Sequence, residues 1–110
     1  LLKAEDFRST MKHGRKLAGV HLVTYIHRDG SLSETRFGFV VAKSVGGAVT
    51  RNLVKRRLRA IAREFLQAEP SAKNLSIVVR ALEASSKASF EELKSELLGS
   101  VNTALKKMTV

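Results

Sequence analysis

Basic residues recur at every fourth position through one segment of the chain, a spacing that brings side chains onto one face of a helix. The repeating positions are Arg51, Lys55, Arg59 and Arg63. Like charges at this spacing destabilise an isolated helix by about 0.2–0.5 kcal/mol per pair. A polyanionic partner would explain why the chain carries this row despite its cost. A planar guanidinium group binds two oxygens of one phosphate at once.

A helical wheel over residues 51–66 separates this helix into two faces. The face predicted to pack in the core comprises Val54, Leu58, Ile61, Ala62 and Phe65. The adjacent face, which we call the basic arc, comprises Arg51, Asn52, Lys55, Arg56, Arg59 and Arg63. Arg57 points away from the arc, and Glu64 is the only acidic residue of the segment. A solvated charged face is the common explanation of such a run, but the scarcity of acid favours contact with nucleic acid.

Three histidines raise the question of acid–base ribonuclease chemistry. They are His13, His21 and His27, and the last two have the same parity in a predicted strand, so we expect them to share a face. No carboxylate is placed in the sequence to orient them, and no cluster has metal-ligand spacing. The chain contains no cysteine, which excludes disulfides and thiolate sites. The sequence therefore predicts no catalytic residue, and no metal or cofactor bound by the protein.

Composition indicates one compact domain over residues 1–110 with a polyanionic partner. Hydrophobic residues make up 44% of the chain, enough for a core, and the net charge is +10. No apolar run approaches the roughly 20 residues that would span a bilayer. Because Trp is absent and aromatic residues are few, a membrane surface is a poorer partner than nucleic acid. These features predict a cytoplasmic protein.

The elements that position these residues follow from periodicity and turn signals. We predict helices at 4–13, from about 50 to 68 and at 89–107, strands at 20–28, 34–43 and 74–81, and a short extended piece at 15–17. Asp29-Gly30 predicts a turn that makes the strands 20–28 and 34–43 hairpin partners. Thr50 or a neighbour is expected to cap the long helix, and Ser85, Ser86 or Ser89 the last one. The apolar run at 74–81 predicts a strand inside the sheet. The order predicts an α+β domain with its helices on one layer of a small mixed sheet.

At the basic helix the sequence resembles the bacterial ribonuclease P protein family. The resemblance is carried by Phe37-Gly38-Phe39-Val40-Val41-Ala42-Lys43, Gly46-Gly47-Ala48-Val49, Arg51-Asn52, Lys55-Arg56 and Arg59, which follow the family's strand, turn and RNR motif. Flanking segments near residues 5–14, 76–80 and 90–93 extend it over nearly the whole chain. Gly47, Ser44, Ser76 and Leu53 depart from the family pattern. The resemblance implies an α-β-β-β-α-β-α sandwich with a left-handed βαβ crossover, against the usual right-handed rule.

The resemblance also implies a function and two RNA surfaces. The basic arc would face the catalytic RNA of ribonuclease P, with Gly46-Gly47 allowing close approach. A second surface, which we call the leader cleft, would hold the single-stranded 5′ leader of precursor tRNA and comprises Lys3, Phe7, Met11 and Tyr25. Apolar and aromatic platforms beside a basic rim, to which Lys12 would also belong, suit single strands. The RNA would perform the hydrolysis with bound Mg²⁺, and the protein alone would not be catalytic.

Alternatives remain at this point. On spacing alone, Phe7 and Met11 fit an ordinary core stripe, and only the resemblance favours a role with the leader. For the whole chain, the alternatives are a ribosomal or other structured-RNA protein, a protein ribonuclease that uses the histidines, and a DNA-binding protein with its basic helix in the major groove. The RNR spacing favours the ribonuclease P subunit over all three, with no DNA or membrane partner.

Overall fold

A computed structural model describes residues 4–70 and 73–108. The helices are α1 (Ala4–His13), α2 (Ala48–Ala68) and α3 (Phe90–Met108), and the strands are β1 (Arg15–Ala18), β2 (Leu22–Arg28), β3 (Arg36–Val41) and β4 (Leu75–Ala81). Two short 3-10 helices, Lys43–Val45 and Glu83–Lys87, precede α2 and α3. Each predicted element is present, with ends shifted by two residues or fewer. No helix of the described residues is long and apolar enough to cross a membrane.

The four strands form one mixed sheet in the order β1-β2-β4-β3. β2 is antiparallel to β1 and to β4, whereas β3 is parallel to β4. The prediction that β4 lies inside the sheet is confirmed, and five consecutive residues, 75–79, are buried. The β3-α2-β4 connection is the crossover that the resemblance implies, and its left hand stays a prediction.

The predicted hairpin between β2 and β3 is wrong, because β4 lies between these strands. The turn itself forms: the N–H of Leu32 donates to the carbonyl of Asp29 at 3.1 Å, and the N–H of Ser31 donates to Asp29 Oδ1 at 3.0 Å. Turn chemistry of this kind is local and does not decide which strands pair. β4 takes a central position because both of its faces are apolar. At the edge of the sheet such a strand would leave apolar side chains and backbone groups exposed to water.

The sheet is covered on both faces, which corrects the expectation that all helices lie on one layer. Residues of α2 and α3 pack with Leu22, Ile26, Phe37 and Ile77 in the main core. Residues of α1 pack on the opposite face in a smaller cluster of Val23, Tyr25 and Val78, joined at its border by Phe7, Met11, Val40 and Leu82. Adjacent residues of a strand point to opposite faces, so β2 and β3 each supply both clusters.

The helix starts agree in part with the predicted caps. Ser89 precedes α3 and its Oγ accepts the N–H of Glu92 at 3.1 Å, as one of the predicted caps requires. α2 begins earlier than predicted, at Ala48, with Gly47 as its N-cap and no side-chain cap bond. Thr50 is therefore not the cap; it lies inside the first turn and its side chain faces Gly46.

Candidate RNA-binding surfaces

The basic arc lies along one side of α2, as the wheel predicts. Asn52, Arg56, Arg59 and Arg63 are exposed, whereas Arg51 and Lys55 are half-buried at the border with the core. Within residues 4–70 and 73–108, none of these six side chains takes part in an ion pair. No carboxylate of the described residues therefore neutralises the cations of the arc, which leaves them available to phosphate.

A hydrogen bond of its side chain holds Arg57 away from the basic arc. Its Nη1 donates to the carbonyl oxygen of Ala88 at 2.7 Å, which ties α2 to the segment that leads into α3. The prediction that Arg57 points elsewhere is confirmed, and the contact gives this residue a structural role that spacing alone did not reveal.

The start of α2 adds backbone donors beside the arc. No side chain caps its first turn, and that turn contains no acidic residue. The first N–H groups of a helix carry partial positive charge, so this end is open to an anion. Gly46 precedes it with φ of 156°, a conformation that side chains disfavour.

The leader cleft residues come together, with one outside the described part of the chain. Phe7 and Met11 of α1 are half-buried and border the cluster that contains Tyr25. Tyr25 is only 7% exposed, so it offers little surface for a base to stack on. Lys3 lies outside the described residues.

Two further cations border this cleft, and neither belongs to the set of leader residues that the sequence predicts. Lys16 of β1 lies opposite Tyr25, and Arg80 of β4 lies between Val23 and Val40. Paired residues in a sheet point to the same face, so both cations share the face of Tyr25, and both are exposed. An arginine inside the apolar run of the central strand was the available sequence signal for Arg80.

The histidines do not form one site. His27 lies near His13 of α1, with ring centroids 6.2 Å apart. His21 precedes β2, and its Nδ1 lies 3.1 Å from Glu96 Oε1 of α3. The prediction that His21 and His27 share a face is therefore wrong, because His21 lies outside the strand whose alternation was applied to it. Among the described residues no three His, Asp or Glu side chains are grouped to hold a metal ion.

Glu96 is a structural residue that the sequence gave no reason to single out. Its carboxylate accepts the backbone N–H groups of Val20 at 3.1 Å, of His21 at 3.1 Å and of Leu22 at 2.6 Å. A Cβ at Gly19 would lie 2.6 Å from the carboxylate of Glu96, so this carboxylate would have to shift to admit a side chain there. α3 thereby fixes the turn between β1 and β2, and with it the strand that carries Lys16.

Comparison with known proteins gives a consistent result. The family model for ribonuclease P matches residues 1–107. The ribonuclease P protein component of Acidothermus cellulolyticus is 43% identical over 97 residues, which cover 87% of this chain and 79% of that protein. The corresponding protein of Pseudarthrobacter chlorophenolicus is 37% identical over 108 residues, 98% of this chain and 78% of that protein.

Solved structures of the same family share the fold. The Staphylococcus aureus ribonuclease P protein aligns with a TM-score of 0.75 and 25% identity, over 100% of this chain and 94% of that chain. The Thermotoga maritima protein aligns with a TM-score of 0.73 and 27% identity, over 89% of this chain and 91% of that chain. A further S. aureus structure, at 26% identity and covering 100% of this chain and 87% of that chain, with a TM-score of 0.75, is of a mutant described as defective in mRNA degradation activity.

Proposed function

The chain belongs to the bacterial ribonuclease P protein family, and we propose that it serves that enzyme through two RNA-binding surfaces on opposite faces of one sheet. Its role is that of the protein subunit of ribonuclease P in the 5′ maturation of tRNA. Strand β3 contributes to both surfaces, because Gly38 and Val40 face α1 while Phe37 and Phe39 face α2.

The basic arc is proposed to bind the catalytic RNA. The observation that carries this proposal is that the cations of the basic arc form no ion pair with any described residue and border a helix start without a side-chain cap. Phosphates satisfy both features, since guanidinium groups and helix N-termini each favour an anion. Asn52 adds a donor and an acceptor that suit a sugar or base edge.

The leader cleft is proposed to bind the single-stranded leader of precursor tRNA. Phe7 and Met11 supply a half-exposed apolar platform, and Lys16 and Arg80 supply a basic border. This combination is the one by which single strands bind, with bases on apolar surfaces and phosphates beside cations. Lys3 and Tyr25 complete the set that the resemblance indicates, and Tyr25 belongs to the buried cluster on which Phe7 and Met11 pack.

Catalysis is proposed to rest with the RNA, which brings Mg²⁺ for the hydrolysis, while the protein holds the substrate. The complex is proposed to work in the cytoplasm, where bacterial transcripts are made. The protein's contribution is then affinity and selectivity for substrates that carry a leader.

Reconstitution tests the proposal directly. The chain is mixed with a bacterial ribonuclease P RNA and precursor tRNA at low Mg²⁺, and cleavage is compared with reactions that lack either component. We expect the protein to raise the cleavage rate with the RNA, and to cleave neither precursor tRNA nor an unstructured mRNA fragment by itself. A protein that leaves the rate of the RNA unchanged would contradict the role in this complex. Cleavage by the protein alone would contradict the assignment of catalysis to the RNA.

A further inference from the structure

A pocket with a volume of about 320 Å³ opens between the edge strand β3 and the C-terminal half of α2. Arg59 and Arg63 of the basic arc line one side, and Phe39 and Arg36 of β3 line the other. The volume lies at the low end of the roughly 300–1,000 Å³ that small-molecule sites occupy, so the pocket suits one small group rather than a folded segment.

The charge of the pocket favours an anion. Three guanidinium groups line it, those of Arg36, Arg59 and Arg63, against the single carboxylate of Glu34. Within the described residues none of the three arginines forms an ion pair. Arg59 and Arg63 lie one helical turn apart and are exposed, so both are able to reach one phosphate at the opening.

The apolar part of the pocket favours a flat ring. Phe39 is half-buried and lies nearly parallel to Phe37, with an interplanar angle of 13°. Leu66 of α2 also lines the pocket and is 38% exposed, so it leaves apolar surface at the opening. Among the described strands β3 pairs with β4 alone, so the outer backbone groups of this edge strand are available to the polar edge of a base.

We infer that this pocket receives a single unpaired nucleotide of the catalytic RNA, with its base against Phe39 and its phosphate between Arg59 and Arg63. The inference rests on the proposed function, since it extends the basic arc into a site for one nucleotide. The pocket lies on the α2 side of β3, away from the leader cleft, and is continuous with the arc through Arg59 and Arg63. The catalytic RNA, not the leader, is therefore its partner.

The test places a carboxylate at the opening and compares it with the same change one residue away. Leu66→Glu is expected to weaken binding of the catalytic RNA about five-fold or more, because it repels the phosphate and removes an apolar wall. Gln67→Glu makes an equivalent exposed change in the same last turn of α2 and should stay within about two-fold. Affinity is measured by fluorescence anisotropy at fixed salt, with the full-length protein and RNA.

A second variant tests the ring without changing charge. Phe39→Leu keeps an apolar side chain and should lose a similar factor of affinity, and a melting curve verifies that the protein is folded at the assay temperature. Chemical probing of the RNA should show one unpaired nucleotide that the parent protects and Leu66→Glu leaves reactive. Parental affinity in either pocket variant, or an equal loss in Gln67→Glu, would overturn the inference.

One further variant keeps the inference separate from the function on which it rests. Arg56→Ala lies in the basic arc but does not line the pocket. If Arg56→Ala weakens RNA binding while Leu66→Glu does not, only the pocket is wrong. If Arg56→Ala also binds as the parent does, the assignment of the basic arc to RNA fails as a whole.

Discussion

The ring of Phe7 lies directly on the backbone of Gly38, so closely that a Cβ at position 38 would overlap the ring. Phe7 belongs to α1 and Gly38 to the edge strand β3, so this contact fixes how the helix sits on the sheet. The absence of a side chain at position 38 lets the ring reach the strand while its remaining surface stays at the border of the cleft. Phe7 therefore packs on the sheet and keeps part of its surface at the border of the cleft, and its contact with the leader stays a prediction.

Gly38→Ala is expected to disturb the leader cleft without affecting the basic arc. The added methyl group forces Phe7 to move, at a cost of about 1–3 kcal/mol in the free energy of unfolding. In the holoenzyme the preference for precursor over mature tRNA should fall, while affinity for the catalytic RNA should stay near the parental value. Competition binding with the two tRNAs measures the preference.

Gly99→Ala is the matched control for that substitution. Gly99 lies in α3, where an added Cβ meets nothing within 4 Å. Alanine in a helix interior is favoured over glycine by about 1 kcal/mol, so this variant should melt at a higher temperature than the parent. If Gly38→Ala melts and selects tRNA as the parent does, the contact with Phe7 does not position α1.

The fold was predictable where local pattern decides it. α2 has a single amphipathic period over many residues, so its core residues Val54, Leu58 and Phe65 are buried as the wheel predicts. The pairing of β2 with β4 was not predictable, because Asp29-Gly30 forms its turn whichever strand returns beside β2. Which strand takes the centre depends on competition among all four, and the spacing of residues in one segment does not contain that information.

The two candidate RNA-binding surfaces were likewise predictable only where local spacing decides which residues share a face. The basic arc follows from helical geometry and needs no tertiary information. The border of the leader cleft needs the register of three strands, since Lys16 meets Tyr25, and Arg80 meets Val23, only through pairing. The role of Glu96 could not be predicted from the sequence, because its hydrogen-bond partners lie about 75 residues away along the chain.

Arg56→Ala and Arg57→Ala are expected to separate RNA binding from stability. Arg56 is exposed in the basic arc, so its loss should weaken binding of the catalytic RNA and lower the salt slope by about one per lost phosphate contact. Arg57 donates to the carbonyl of Ala88, so its loss should lower the free energy of unfolding by about 1–3 kcal/mol. The melting temperature should fall as a result. Binding isotherms at several salt concentrations and thermal melts check both. Equal losses of RNA affinity would show that the arc is drawn wrongly.

Replacing His13, His21 and His27 together by Gln should leave the cleavage rate of the reconstituted enzyme within a few-fold. Among the described residues neither His13 nor His27 forms an ion pair with a carboxylate, and the partner of His21, Glu96, accepts backbone N–H groups. Gln at position 21 keeps a hydrogen-bond donor toward Glu96. Single-turnover rates on precursor tRNA are the measurement. A loss of several orders of magnitude in a folded triple variant would indicate protein-borne catalysis.

The start of α3 is expected to lose stability in acid. The N–H of Ser89 donates to Glu92 Oε1 at 2.9 Å, and this bond, followed by the Ser89 hydroxyl, holds the pKa of Glu92 below its ordinary value of 4.5. A lowered pKa contributes stability above about pH 4.5, and that stability is lost as the pH falls through the lower, folded-state pKa. Glu92→Gln should therefore melt below the parent near neutral pH and converge with it in acid. Asp29, whose pKa is also lowered, by Ser31, is present in both proteins and cancels in the difference. A gap that is unchanged from neutral pH to acid would contradict the pairing.

Phe7→Ala and Phe7→Leu are expected to show what the ring does for the leader. A base stacked on an aromatic ring contributes about 1–3 kcal/mol, so both variants should bind precursor tRNA less tightly in the holoenzyme and leave mature tRNA unchanged. Phe7→Leu keeps an apolar contact on Gly38 and should remain folded, whereas Phe7→Ala also loses packing worth up to about 3–5 kcal/mol. Melting curves on both variants separate these effects, and binding of the protein to the catalytic RNA should hardly change in either. A folded Phe7→Leu protein that prefers precursor over mature tRNA as strongly as the parent would remove Phe7 from the leader cleft. The basic arc would be unaffected by that outcome, because it lies on the opposite face of the sheet.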